Sequence, residues 1–275
     1  MKRSMSIVAL SLAPLGARAD QVTIFAVADN TMYSESASES NGAGAWIFAG
    51  RTNTGDLRRA LVRFDLSAIP AGATINDVKL QMRLSKARTG TDTVNIHRAN
   101  ASWGEGTSDA TANEGKGAPA AAGDATWTFR FFNTSSWSVL GGDFNAVASA
   151  SEVIGTSIGV YTWDDPGITS DVAAWMQSPS SNFGWIVIGD ESINQTTRRF
   201  DSRNGTVPAN APHIIVNYTP PCDADLNHDG FVNGDDYDLF ASFFENGESG
   251  ADLNHDGFVN GDDYDFFAEH FEGGC

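Results

Sequence analysis

The last fifth of the chain contains no lysine and no arginine. Between residues 222 and 275 stand 15 Asp and Glu and not one basic side chain. That stretch carries most of the net charge of −18 and leaves only −3 on everything ahead of it. A nucleic-acid ligand wants a basic face, so this balance argues against one. Because the acidity is confined to the tail, it is no statement about a substrate of the larger segment. No stretch reaches 18 consecutive apolar residues, so no membrane span is expected. Catalytic signatures are missing too. There is no GxSxG, no HEXXH and no HXH pattern, and no cysteine ahead of residue 222 to act as a nucleophile.

What remains for catalysis is thin. His97 and His213 fall within or at the edge of expected strands, where a satisfied structural histidine is the ordinary case. Asp164 and Asp165 are neighbours in one TrpAspAspProGly turn, whereas a glycosidase pair must face each other across a substrate. A turn, a helix cap or an oxygen ligand suits them better. Tyr161, His97 and Arg83 could serve a polysaccharide lyase, but nothing in the sequence places them together. An enzyme is therefore the third reading, behind two non-catalytic ones.

What is present is a duplication. Residues 225–236 and 252–263 both read DLNHDGFVNGDD, and residues 224–247 match 251–274 at 20 of 24 positions. Oxygen-bearing residues recur at loop positions 1, 3, 5, 9 and 12: Asp225, Asn227, Asp229, Asn233 and Asp236, then Asp252, Asn254, Asp256, Asn260 and Asp263. Gly230 and Gly257 occupy position 6, and Phe231 and Phe258 would offer backbone carbonyls from position 7. This is EF-hand calcium-loop spacing, with Asp closing the loop where Glu is more familiar. A hard divalent cation wants six to eight oxygens, which short side chains at alternate positions supply. Two calcium ions are expected. The alternative, a solvated acidic tail, would not repeat Phe, Val and Gly in register.

After each loop, Tyr237, Phe240 and Phe244, and Tyr264, Phe267 and Phe271, stand at helical spacing. No amphipathic helix precedes the first loop, so each unit is a loop with an exit helix. The pair resembles a type I dockerin, the duplicated module that plugs secreted proteins into cohesin-bearing scaffolds. That resemblance implies a cohesin-like scaffold partner. It covers residues 222–275 and departs from the usual pattern in that its helices carry no Lys or Arg. Cys222 and Cys275 bracket the module, and a bridge between them would add roughly 4 kcal/mol on the chain-entropy model.

At the other end, residues 1–19 read as a signal peptide. Lys2 and Arg3 precede a short apolar run, and AlaArgAla at 17–19 suits cleavage before Asp20. A secreted or cell-surface location follows. Residues 20–221 are long enough for one large domain. RALVRFDL at 59–66 and VKLQMRLSK at 78–86 alternate as strands. Further strands are expected at 22–28, 93–98, 127–132, 184–189 and 213–218. One helix is expected at 170–177 with Ser170 as N-cap. Residues 104–125 read as a loop too polar to be core. The fold class is thus mainly β, a jelly-roll-type β-sandwich with one short helix, followed by a small α module of two EF-hand-like repeats.

RRALVRFDLSAIPAGATINDVKLQMRL at 58–84, ITSDVAAWMQSPSSNFGWIVIG at 168–189 and RRFDSRNG at 198–205 resemble the DNRLRE-domain family of secreted bacterial β-sandwiches. The resemblance implies a sandwich fold related to carbohydrate-binding modules, with alginate among the ligands of some relatives. The residues offer two ligand features. Trp103, Trp127, Trp137 and Trp163 fall in or near glycine-rich loops, where each is either a sugar platform or a core anchor. Lys79 and Arg83, with Arg63 on what reads as the neighbouring strand, form either a grip for a carboxylated polymer or an ordinary solvated face. Two functions lead: a secreted non-catalytic binder of an acidic polysaccharide, tethered through its tail, or a structural or adhesive surface protein using the tail as a plug.

Overall fold

The structure is a computed structural model that describes residues 19–88 and 90–273. Residues 1–18, where the expected signal peptide falls, lie outside it. Among the described residues no helix is long and apolar enough to cross a membrane. Contacts divide the chain into a unit over Gln21–Tyr218 and a second unit from Thr219 onward.

The large unit is built from strands β1 (Asp20–Tyr33), β2 (Glu39–Ser40), β3 (Trp46–Arg51), β4 (Leu57–Phe64), β5 (Thr74–Ala87), β6 (Asp92–Arg98) and β7 (Ala118–Pro119). There follow β8 (Phe129–Phe131), β9 (Ser135–Ser136), β10 (Ala150–Ile154), β11 (Gly159–Trp163), helix α1 (Pro166–Gln177), β12 (Trp185–Ile188), β13 (Arg198–Asp201) and β14 (His213–Thr219). The main sheet runs β1-β14-β5-β13-β3-β4-β12-β6-β10, with β11 beside β5 and a further β1–β4 pairing that closes a ring.

Two strands serve both layers of this closed sandwich. β3 pairs with β13 over Trp46–Ala49 and then with β4 through Gly50 and Arg51. β1 neighbours β14, and past a register shift between Ala26 and Ala28 it runs against β4 as far as Tyr33↔Arg58. A bulge of this kind bends a strand and lets it turn the corner between sheets.

Alternation fills the interior. Val78, Leu80, Met82 and Leu84 of β5 face Ala60, Val62 and Phe64 of β4, with Trp163, Trp185 and Phe200 among them. Helix α1 adds Ile168, Val172 and Trp175, and the Trp175 and Trp185 rings lie 4.7 Å apart. The helix starts earlier than the sequence suggested. Asp165 is its N-cap, Pro166 opens it, and Ser170 bonds back to the Pro166 carbonyl from within.

A second apolar layer lies on the outer side of β4 and β12. Leu61, Ile186 and Ile188 are covered by Trp103, Ala125 and Trp137. This corrects the reading of residues 104–125 as a loop apart from the core: Ser108, Ala110, Glu114 and Asp124 are buried. The carboxylates tie the segment down through main-chain donors. Glu114 accepts from Ala45 N–H, Trp46 N–H and Asn41 Nδ2, and Asp124 accepts from Ala121 N–H at 2.6 Å. Polar composition here marks satisfied burial. The strand expected at 127–132 shrinks to β8, paired with β9.

The second unit contains helices α2 (Gly234–Asn246) and α3 (Gly261–Gly273). The Cys222–Cys275 bridge expected from the sequence involves Cys275, which lies outside the described residues. Among the described residues an aromatic interior joins the two repeats. Phe240 and Phe267 stack at 4.2 Å with planes 3° apart. Around that pair the contacts repeat: Tyr237–Phe267 and Phe240–Tyr264 are both 6.3 Å, and Phe240–Phe244 and Phe267–Phe271 are 5.5 and 5.4 Å.

The most consequential charge in the large unit is Arg198, wholly buried, with Nη2 2.6 Å from Asp92 and further bonds to main-chain carbonyls of Ile154, Thr196 and Gly90. Removing one partner of a buried pair strands the other. Arg198→Ala should therefore lower stability by about 3–5 kcal/mol in denaturant unfolding. An unchanged midpoint would show that the pair holds nothing.

Candidate functional site

The outer face of β5 presents Lys79, Gln81, Arg83 and Ser85, because the residues between them point into the core. On one side lies β11, where Thr162 stands opposite Gln81 and Val160 opposite Arg83. On the other lies β13. Arg83 Nη1 is 3.1 Å from Asp201 Oδ2, and Arg199 Nε donates to Ser85 Oγ at 3.1 Å. A register shift then sets Arg199 opposite Lys86. Beyond β13, β3 places Phe48 opposite Arg199 and Trp46 opposite Asp201. The Arg199 guanidinium lies 3.8 Å from the centre of the Trp46 ring.

A cavity of about 250 Å³ opens beside this row, lined by Phe48, Lys86, Arg88, Asn113 and Arg199 among others. Burial pulls the Arg199 guanidinium down from its ordinary value, and the charges of Asp201 and Glu114 partly restore it. Arg83 has Asp201 as its ion-pair partner, whereas Lys79, Lys86, Arg88 and Arg199 have no ion pair within 4 Å among the described residues. The face is therefore cationic, with a half-buried tryptophan at one end.

Several sequence-derived candidates lie elsewhere. Arg63 is on β4, which neighbours β1, β3 and β12 and not β5. Its guanidinium lies 5.5 Å from the Trp103 ring, so it does not extend the Lys79–Arg83 row. Trp103, Trp137 and Trp163 are 2%, 5% and 0% exposed, which leaves no ring face for a sugar. Each indole N–H instead donates to a main-chain carbonyl: Phe183, Thr126 and Val94. They are core anchors. Trp127 is half-buried with the Arg59 guanidinium 4.9 Å from its ring. Trp46 and Arg199 escaped the sequence reading. The one available signal was a tryptophan opening a strand after the small-residue run GAGA.

The remaining titratable candidates are structural. His97 Nδ1 pairs with the Asn145 carbonyl, and His213 bonds Ala211 and Gln81. Asp165 accepts from Ser151 N–H. Tyr161 is opposite Met82 on the core side of the sheet, while Arg83 is on the outer side, so the lyase set is not assembled.

In the second unit the two loops adopt one conformation twice. Asp225 Oδ1 accepts from Asp229 N–H at 3.1 Å, and Asp252 Oδ1 from Asp256 N–H at 3.2 Å. Asn227 and Asn254 accept from the same two N–H groups at 2.9 Å. Asp229 and Asp256 accept from Phe231 and Phe258 N–H, and Asn233 and Asn260 cap the helices through Asp235 and Asp262 N–H. Asp236 and Asp263, wholly buried, reach back to Asn233 and Asn260 N–H at 2.9 Å. Gly230 and Gly257 sit at φ 90° and 88°, which an L side chain would resist.

The oxygen-only donor set, curled by main-chain N–H groups around each loop, fits a hard cation such as calcium. Among the described residues no three His, Cys, Asp or Glu side chains stand clustered as a finished metal site.

Residues 20–140 match the family model of carbohydrate-binding module family 96. The match supports a non-catalytic carbohydrate-binding module over that part of the chain. No curated protein matches the chain.

Asp263 also accepts from Leu253 and Asn254 N–H, so its carboxylate helps to hold the loop. Asp263→Ala should speed hydrogen exchange at Leu253 and Asn260 about tenfold, the equivalent of one lost charge-assisted bond. Exchange at wild-type rates would remove the carboxylate from this role.

Proposed function

We propose that the large unit binds an acidic polysaccharide across the outer face of β11, β5, β13 and β3, and that the second unit is a calcium-dependent plug. The observation that supports the first part most is the row of Lys79, Arg83, Arg199, Lys86 and Arg88, in which only Arg83 meets a carboxylate. A polymer carrying one carboxylate per sugar offers such a row repeated partners. Arginine takes a carboxylate through two parallel N–H bonds, and lysine contributes a point charge. Half-buried Trp46 supplies apolar surface beside the charges. A neutral sugar could stack there but would leave the charges without partners.

For the second unit, Asp225, Asn227, Asp229, Asn233 and Asp236, with the Phe231 carbonyl, would hold one calcium ion. The corresponding set from Asp252 to Asp263 would hold the other. Bound calcium offsets the repulsion among the 15 acidic side chains. A dockerin-like plug of this kind suits a cohesin-like scaffold, and a secreted chain tethered through it keeps its binding face beside an extracellular polymer.

Affinity electrophoresis of the full chain in gels containing a polyuronate or a neutral glucan tests the first part. Retardation is expected in the polyuronate alone, weakened at least about tenfold by combined Lys86→Ala, Arg88→Ala and Arg199→Ala, and falling with added salt. Equal retardation of wild type and triple variant would sink it. For the plug, chelator should reduce the helical circular dichroism of the chain, and Asp236→Ala with Asp263→Ala should reproduce that loss with calcium present. A spectrum indifferent to chelator would count against calcium here.

A further inference from the structure

The basic row on the outer face of β5 ends at a small cavity with a fixed back wall. From Lys79 to Lys86 the strand runs about 23 Å, room for several sugar rings. At the Lys86 end lies the cavity of about 250 Å³. Pockets for drug-sized ligands measure roughly 300–1,000 Å³, so this one suits a single ring. Its lining includes Lys86, Arg88 and Arg199 and no Asp or Glu. None of these three cations has an ion pair within 4 Å among the described residues.

The back wall is the turn at residues 113–115, of which Asn113 and Gly115 line the cavity. It is tied down at every step. The Glu114 carboxylate accepts from Ala45 and Trp46 N–H at 3.1 and 3.0 Å, and the Glu114 carbonyl accepts from the Tyr33 hydroxyl at 2.9 Å. The Gly115 carbonyl accepts from Arg58 Nε and Nη2 at 3.1 and 2.9 Å. Arg58 also lines the cavity, but both its Nη atoms are engaged with Glu35, so it is a strut and offers no free charge. Backbone anchored in this way does not swing aside for a polymer running on past Lys86.

The remaining walls suit a sugar. Thr197 and Arg199 flank Arg198, which is turned inward and wholly buried, so both belong to the outer side of the sheet. Thr197 lines the cavity, and its hydroxyl is buried with no hydrogen-bond partner among the described residues. A ring hydroxyl is a fitting partner for it. Trp46, whose ring carries the Arg199 guanidinium at 3.8 Å, has its main chain held by the same Glu114 carboxylate that fixes the turn. One buried carboxylate thus positions both the back wall and the aromatic platform.

We infer that this cavity takes the terminal uronate of a polysaccharide chain, so that the large unit recognises chain ends in preference to chain interiors. The inference rests on the polyuronate reading above and specifies which part of the polymer is bound. The carboxylate of the end unit lies among Lys86, Arg88 and Arg199, and the units behind it run back along β5 past Arg83 toward Lys79. A unit with neighbours on both sides has no way out past the 113–115 turn.

Competition against gel retardation of the full chain tests this. One polyuronate is used at equal mass in two forms, the intact polymer and acid-hydrolysed oligomers long enough to lie along β5. The hydrolysed form should compete more strongly, in proportion to the additional ends it carries. Equal or weaker competition by the oligomers would overturn the inference and leave the polyuronate reading standing. No retardation in the polyuronate gel at all would remove that reading and this one with it. Asn113→Trp, at an exposed position, fills the cavity without removing a charge. With circular dichroism unchanged, it should weaken oligomer binding at least about tenfold by steric exclusion. Undiminished oligomer binding in that variant would also overturn the inference. Should the variant fail to fold, the competition between the two forms decides alone.

Discussion

Everything in the large unit depends on two strands that belong to two sheets. β1 and β3 each leave one layer and enter the other, so the layers are joined through continuous backbone at two corners. Hydrogen bonding round the ring β1-β14-β5-β13-β3-β4 leaves those strands few free edges. The bend in β1 has a local cost, since it carries Asp29 into the interior with its carboxylate. A sandwich stacked from two independent sheets could have kept that position apolar.

The cover over the outer side of β4 and β12 follows from the same plan. Leu61, Ile186 and Ile188 face away from the central core, and water would reach them without the segment that contains Trp103 and Trp137. That segment has few apolar side chains of its own. It packs because its indoles and carboxylates each find a main-chain partner, so polar composition and burial coexist. The opposite face, on β5 and β13, is left open, and there the basic side chains collect.

How far the sequence reaches can be judged strand by strand. The alternation of Val78, Leu80, Met82 and Leu84 made β5 plain, and it also placed Lys79 and Arg83 outward. β13 was invisible because ArgArgPheAsp carries no apolar alternation, and its first arginine is buried by an ion pair that no local pattern announces. Arg63 falls beside Lys79 only if strands consecutive in sequence pair in space. The connection between β4 and β5 instead crosses from one layer to the other. The burial of Trp103, Trp137 and Trp163 depends on which carbonyls their indoles meet, and those come from 80, 11 and 69 residues away. The repeats were legible because the donor pattern lies within twelve residues and appears twice.

The stacked Phe240–Phe267 pair, with its matched shell of Tyr237, Tyr264, Phe244 and Phe271, has a consequence for inheritance. Each repeat supplies the other's interior, so neither has a core of its own to conserve. A change of ring size in one copy opens a gap or a clash against its counterpart, and the repair that restores symmetry is the same change in the other copy. Along these aromatic positions the two halves can drift only as a couple.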